Sequence, residues 1–267
     1  MMNITPVVKQ LLIINIIFFL GSMYVPVAEA YFPLYYIDND MFRPWQFLTH
    51  MFMHGGFAHI FFNMFALYSF GSALEHFWGG KKFLFFYISC GLGAALLHTL
   101  VNYAQIYYLI HEVAQLNLSK TDLHLLLNMD YVAVFDANGH MLPGKIKTIL
   151  DGVHCTQEQF NAVQQAYAVS KPAVVGASGA IYGLLAAFAF MFPNAELGIM
   201  FIPIPVKAKY FVPGLLTLDL FLGFNGQSIF GAGSTGIAHF AHIGGALTGF
   251  IMMWMWKKNQ FNDKRWN

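Results

Sequence analysis

Hydrophobic positions run along the chain in six long stretches separated by polar connections, at about residues 8–27, 57–76, 83–103, 177–193, 209–224 and 238–256. A helix needs about 20 residues to cross an apolar core of roughly 30 Å, and the stretches reach or approach that length. The pattern predicts an all-α polytopic membrane protein with six transmembrane helices. The fourth and fifth stretches are short. Ser178 and the glycines around it open the fourth, which lets that helix start below the membrane surface with water above it. The first stretch has an alternative reading as a signal peptide, because Lys9 precedes it and Ala28-Glu29-Ala30 has the small-x-small form of a cleavage site. Its apolar run exceeds a typical signal core, and its removal would leave an odd number of spans.

Residues 104–170 break the apolar pattern with a mixed polar sequence carrying six of the chain's 13 acids. The expected organisation is helices 1–3 in residues 1–103, an extracytoplasmic insertion over 104–170, helices 4–6 in 171–256 and a cytoplasmic tail over 257–267. Within the insertion, Tyr131-Val132-Ala133-Val134-Phe135 reads as a strand ending at the turn signal Asp136-Ala137-Asn138-Gly139, and Thr156 as the cap of a helix reaching about Val169. A small α+β subdomain is expected there.

Composition strengthens the membrane reading. Of 267 residues, 57% are hydrophobic and 10% charged, and the mean hydropathy is +0.53, outside the soluble range. A net charge of +1, with no basic run, argues against a nucleic-acid partner. Cys90 is in an apolar stretch and Cys155 in a polar one, so neither a disulfide framework nor a CxxC metal pattern is present. Lys9, Lys81-Lys82, Lys207/Lys209 and the tail Lys257, Lys258, Lys264 and Arg265 fall in alternate connections and at both termini. That side is expected to be the cytoplasm. The opposite connections hold Arg43, Lys120, Lys145, Lys147 and Lys171, diluted by acids from Glu29 to Glu158.

Two polar groups stand at costly depth. Ser178 in Gly176-Ala177-Ser178-Gly179 and His242 in Ala241-His242-Ile243-Gly244-Gly245 both fall toward the outer leaflet on this topology, and an ionisable group inside a membrane calls for a partner. Alone, Gly-x-Ser-Gly is a weak signal. Gly176, Gly179 and Gly183 with Gly245 and Gly249 also suit close helix packing, with Ser178 bonded to a carbonyl. The second stretch adds His50-x-x-x-His54-x-x-x-x-His59-x-x-x-Asn63, whose i, i+4 spacing sets His59 and Asn63 on one helical face. An imidazole and an amide there could donate to an oxyanion, or Asn63 could make an interhelical hydrogen bond.

In combination these motifs resemble the rhomboid family of intramembrane serine proteases, over nearly all six stretches. The resemblance implies that Ser178 is the nucleophile, His242 in AHxxGxxxG the general base, and His59 and Asn63 of HxxxN, with Ser178, the oxyanion hole. It implies that Tyr182 stacks on the imidazole and that Glu75 is a structural glutamate at the cytoplasmic end of the second helix. Gly176, Gly179 and Gly245 support the site. The chain departs from the family's common Trp-Arg pair: Gln46 follows Trp45, and Arg43 is the nearby arginine.

No carboxylate is evident at the site from sequence. Asp219 lies in the fifth stretch, where a structural or gating role is favoured over membership of a triad, and His239 reads as a wet surface histidine or a hydrogen-bonding neighbour of His242. Phe211, Phe221 and Phe224 with the loop Gly223 to Gly236 are candidates for a gate and cap, or for plain lipid contact. The expected function is endopeptidase cleavage of transmembrane proteins near the outer leaflet by a Ser-His dyad, in a cell membrane, most simply a bacterial inner membrane. The expected substrates carry helix-destabilising residues, and neither metal nor cofactor is required. Alternatives are a catalytically inactive rhomboid-like binder, or a metal-binding membrane protein using His50, His54, His59, His239 and His242. The natural substrate and oligomeric state are not legible.

Overall fold

The computed structural model describes residues 4–199, 202–225 and 238–260. A helix lies on each apolar stretch: Pro6–Tyr24, Phe57–Trp78, Gly80–Val113, Ser178–Met191, Ala208–Phe224 and Ala238–Gln260, the first to sixth long helices. The first three are long and apolar enough to cross a bilayer. The fourth, with 14 residues, extends about 21 Å at the helical rise of about 1.5 Å per residue. Ile13, Ile17 and Leu20 on the first helix, Phe61 and Phe65 on the second and Phe250 and Trp254 on the sixth face outward. In water such a surface is costly, whereas hydrocarbon removes that cost.

Two compact units form. One comprises residues up to Leu34, Pro44–His98 and those from Val174 onward; the other comprises Tyr35–Arg43 and Thr99–Ala173. In the first unit, Phe83, Phe86 and Tyr87 pack with Leu67, Leu74, Leu184 and Met253. The first helix starts at Pro6, where a missing N–H costs nothing. Its cap comes from another helix: buried Glu75 accepts from the Val7 N–H (3.0 Å), the Val8 N–H (2.9 Å) and the Thr5 hydroxyl. A carboxylate there satisfies orphan donors and suits the helix dipole. The second helix contains a π segment, Leu67–Gly71, and ends at Gly79, whose φ of +77° suits glycine. An antiparallel hairpin, Glu196–Ile199 with Ile202–Lys207, joins the fourth and fifth helices.

The second unit differs from the α+β expectation. Its elements among the described residues are the end of the third long helix, from Thr99 to Val113, and the helices Lys120–Asn128, Lys145–Gly152 and Gln157–Ser170, with one isolated bridge, Phe135 to Met141. The Tyr131–Phe135 strand does not form. The Asp130 carboxylate accepts from the N–H groups of Val132 (3.1 Å) and Ala133 (3.4 Å) and curls the chain into a turn. The Tyr131 and Phe135 rings, 5.3 Å apart, pack together and against Phe160. The turn at Asp136–Gly139 is present, with Asp136 accepting from the Asn138 and His140 N–H groups. Thr156 and Gln159 form a reciprocal capping box, and that helix ends at Ser170. His124 sits between two acids, 3.0 Å from Asp38 and 3.2 Å from Asp40, which ties Tyr35–Arg43 to the helix Lys120–Asn128.

Candidate active site

Ser178 is the first residue of its helix, and the segment before it is fastened on two sides. Leu34 and Val174 exchange two backbone hydrogen bonds of 2.9 Å, and the Gly176 N–H donates to the His50 carbonyl, also at 2.9 Å. Gly176 has φ +120°, a conformation that L side chains rarely adopt. One turn deeper, glycines bring backbones into contact. A methyl on Gly245 would run into the Gly179 carbonyl, and one on Gly249 would come within 2.7 Å of the Gly183 oxygen. Gly179 follows Ser178 by one residue and Gly245 follows His242 by three. The glycine contact therefore fixes the approach of the Ser178 and His242 side chains.

At the top of that contact the His242 Nε2 is 2.9 Å from the Ser178 Oγ. Tyr182, one turn after Ser178, lays its ring on the imidazole with centroids 4.2 Å apart and planes 8° from parallel. The aromatic face holds the ring's plane and leaves both nitrogens in line with other partners.

His59 and Asn63 converge near the serine. A Cβ at Gly176 would lie 2.7 Å from His59 Nε2 and 3.5 Å from Asn63 Nδ2. His59 Nδ1 accepts the Gly55 N–H at 3.4 Å, so the neutral ring carries its proton on Nε2, toward Gly176. The Asn63 Nδ2 is buried with no hydrogen-bond partner among the described residues, leaving a donor in place for an incoming acceptor.

A carboxylate also reaches the site. Asp219 is buried, and its Oδ1 meets the Nδ1 of His239 in a short hydrogen bond and the Nδ1 of His242 at 3.3 Å. The Tyr182 hydroxyl is close enough to interact with the same carboxylate. His239 is buried, which corrects the wet-surface expectation and leaves the hydrogen-bonding one, and Asp219, which the sequence alone does not place at the site, lies beside His242. The available signal was Asp219 itself, an acid in an apolar helix facing two histidines at i, i+3 on the next.

Among the described residues, the five histidines of the metal alternative do not form one ligand set. His50 Nδ1 bonds to the Gln46 carbonyl at 2.9 Å, and His54 packs edge-on to His59. Among the described residues, the group able to hold an ion is Asp219, His239 and His242, whose ligand atoms lie within 4.8 Å of one another.

Around the site, buried Gln46 donates to the Tyr31 carbonyl at 3.2 Å, beside Trp45 Nε1 at 3.1 Å to the same oxygen. Arg43 donates to the carbonyls of Asp40 and Phe42 in its own loop. Phe221 and Phe224 are exposed, whereas Phe211 packs on the core. Most of the expected cap, residues 226–236 of the Gly223–Gly236 loop, lies outside the described residues.

A family model described as the Rhomboid domain matches residues 42–109 and 122–259. A curated relative, Rhomboid protease GluP from Bacillus subtilis (strain 168), is 38% identical over 52 residues, which cover 20% of this chain and 10% of the relative. The matched stretch thus spans about a tenth of that relative's length.

Proposed function

The chain belongs to the rhomboid family, and we propose that it is an intramembrane serine endopeptidase that cleaves transmembrane segments with a Ser178–His242 dyad. The observation that carries the reading is the 2.9 Å contact from Ser178 Oγ to His242 Nε2, held by a glycine-tight helix pair. The GluP relative is named a protease, which supports the reaction class.

In this reading His242 Nε2 takes the hydroxyl proton as Ser178 Oγ attacks the scissile carbonyl. The carbonyl oxygen becomes an oxyanion, met by the His59 Nε2–H, the Asn63 amide and the Ser178 N–H. Collapse of the tetrahedral intermediate breaks the C–N bond, and the imidazolium passes its proton to the leaving amine. A water deprotonated by His242 then attacks the acyl-enzyme and restores Ser178. The six apolar helices all cross the membrane, with both termini in the cytoplasm and the insertion on the outer side. Ser178, at the head of a short helix, lies where water from the outer surface can reach it. A helical substrate carbonyl is already hydrogen-bonded, so segments with glycine or other helix-weakening residues are favoured. Phe221 and Phe224 flank the lateral route by which such a segment arrives.

A metal-dependent reading draws on the Asp219, His239 and His242 group. It leaves the orphaned Asn63 donor and the Ser178 contact without a role. The test is fluorophosphonate labelling of the purified protein, together with cleavage of a reporter transmembrane substrate. Wild-type protein is labelled and cleaves with or without a chelator, and Ser178→Ala does neither. Cleavage by Ser178→Ala, or its loss on chelation, sinks the serine-protease reading.

A further inference from the structure

We infer that Asp219 is a positioning residue for His242, so that the catalytic unit is a Ser178–His242–Asp219 relay on three helices rather than a bare dyad, with His239 holding the carboxylate. The inference rests on the serine-protease reading above.

An isolated carboxylate in apolar surroundings is costly and persists only with hydrogen bonds around it. Asp219 is 2% exposed at its side chain, and its nitrogen partners are the Nδ1 atoms of His239 and His242. A brace between the fifth and sixth helices needs only His239. The same Oδ1 also faces His242 at 3.3 Å, from the side opposite Ser178.

That placement decides the tautomer. An ionised carboxylate only accepts, so His242 Nδ1 carries the proton and Nε2 presents its lone pair to the Ser178 hydroxyl. When Nε2 takes the serine proton, the new imidazolium charge forms next to Asp219, which stabilises it without itself gaining a proton. His239 Nδ1 donates to the other lone pair of Oδ1 and fixes the carboxylate. The His239 ring stands 88° to that of His242 with centroids 6.0 Å apart, so it does not compete for Ser178. Among the described residues, the remaining ionisable neighbours of His242 are Tyr182, stacked on its face, and His59 on the second helix.

The arrangement adds a carboxylate to the two-residue chemistry that the family resemblance implies. It also links catalysis to the fifth helix, because any shift of that helix away from the sixth withdraws the group that orients the base.

The test uses full-length protein in proteoliposomes with a reporter transmembrane substrate. Asp219→Asn keeps the shape but offers an amide, so kcat falls about 100-fold or more with KM little changed. The acidic limb of the kcat–pH profile moves from its wild-type position, and Ser178 labelling by fluorophosphonate slows in parallel. Asp219→Glu recovers part of the rate, and His239→Gln, which can still donate, loses less than Asp219→Asn. A kcat within threefold of wild type and an unmoved acidic limb for Asp219→Asn, with Ser178→Ala inactive, overturn the inference and leave the protease reading standing. An unlabelled, inactive wild type overturns both. Should Asp219→Asn fail to fold, imidazole NMR of Ser178→Ala supplies the answer: a downfield Nδ1 proton on His242 supports the relay, and its absence overturns it.

Discussion

The carbonyl of Gly179 lies against Gly245 so closely that no side chain larger than hydrogen fits at position 245. Two helices in backbone contact at this level have little freedom to slide, and Ser178 and His242 sit just above the contact. Gly245→Ala is therefore expected to force the helices apart and cost about 1–3 kcal/mol, the usual penalty of overpacking. Reporter cleavage should fall more steeply than thermal stability in detergent, because hydrogen-bond distance at the site is lost before the fold is. A Gly245→Ala protein with wild-type activity would show that the pair is set by something else.

Glu75 reaches from the second helix to cap the first. Glu75→Ala strands the Val7 and Val8 N–H groups and the Thr5 hydroxyl, and a buried orphan group costs about 1–3 kcal/mol. The expected outcome is a lower unfolding temperature in detergent, with per-molecule kcat of the folded fraction close to wild type. A loss of kcat without a loss of stability would contradict the capping role.

Tyr182 meets His242 through its ring face at 4.2 Å. Aromatic stacking is worth about 0.5–1.5 kcal/mol, so Tyr182→Ala should slow cleavage roughly 3- to 10-fold through a less ordered imidazole. Tyr182→Phe keeps the face and should retain most of the rate. Equal losses in the two variants would assign the effect to the hydroxyl instead.

How far the sequence reached follows from the range of each signal. Ser178 and His242 stood out as polar groups in apolar stretches and His59 and Asn63 through their i, i+4 spacing, whereas the place of Tyr182 came only from the resemblance to the rhomboid family. Asp219 itself stood out as an acid in an apolar stretch, but its contact was hidden because its partners His239 and His242 lie on the next helix, and no periodicity relates positions across a connection. The Tyr131–Phe135 segment has strand-like composition, yet the neighbouring Asp130 carboxylate takes its N–H groups and turns it. Strand preference is a matter of packing context, and among the described residues of that unit there is no sheet to join.

His124 gives the helical insertion a pH dependence. Its pKa is raised above the ordinary 6.5, first by the hydrogen bond to Asp38, against a smaller pull from burial, with the charges of Asp38 and Asp40 adding. A raised folded pKa means that the stabilisation is fully present below about 6.5 and is lost as pH rises through the folded value. Amide exchange in Lys120–Asn128 should therefore show greater opening in mildly alkaline than in mildly acidic buffer, after correction for intrinsic rates. His124→Ala should flatten that difference. An unchanged pH dependence in the variant would remove the Asp38–His124–Asp40 contact as its cause.

Asn63 offers the sharpest separation of chemistry from structure. Its Nδ2 is buried and without a hydrogen-bond partner among the described residues, so it contributes little to the resting fold. A donor preset for an oxyanion typically contributes about 2.7–4 kcal/mol to lowering the barrier. Asn63→Ala should thus cut kcat by about 100- to 1000-fold while leaving the unfolding temperature near wild type. Fluorophosphonate labelling should slow as well, because the phosphonyl oxygen occupies the same donors. A structural interhelical role predicts the reverse, with stability falling and per-molecule kcat preserved, so the two measurements on one variant decide between them.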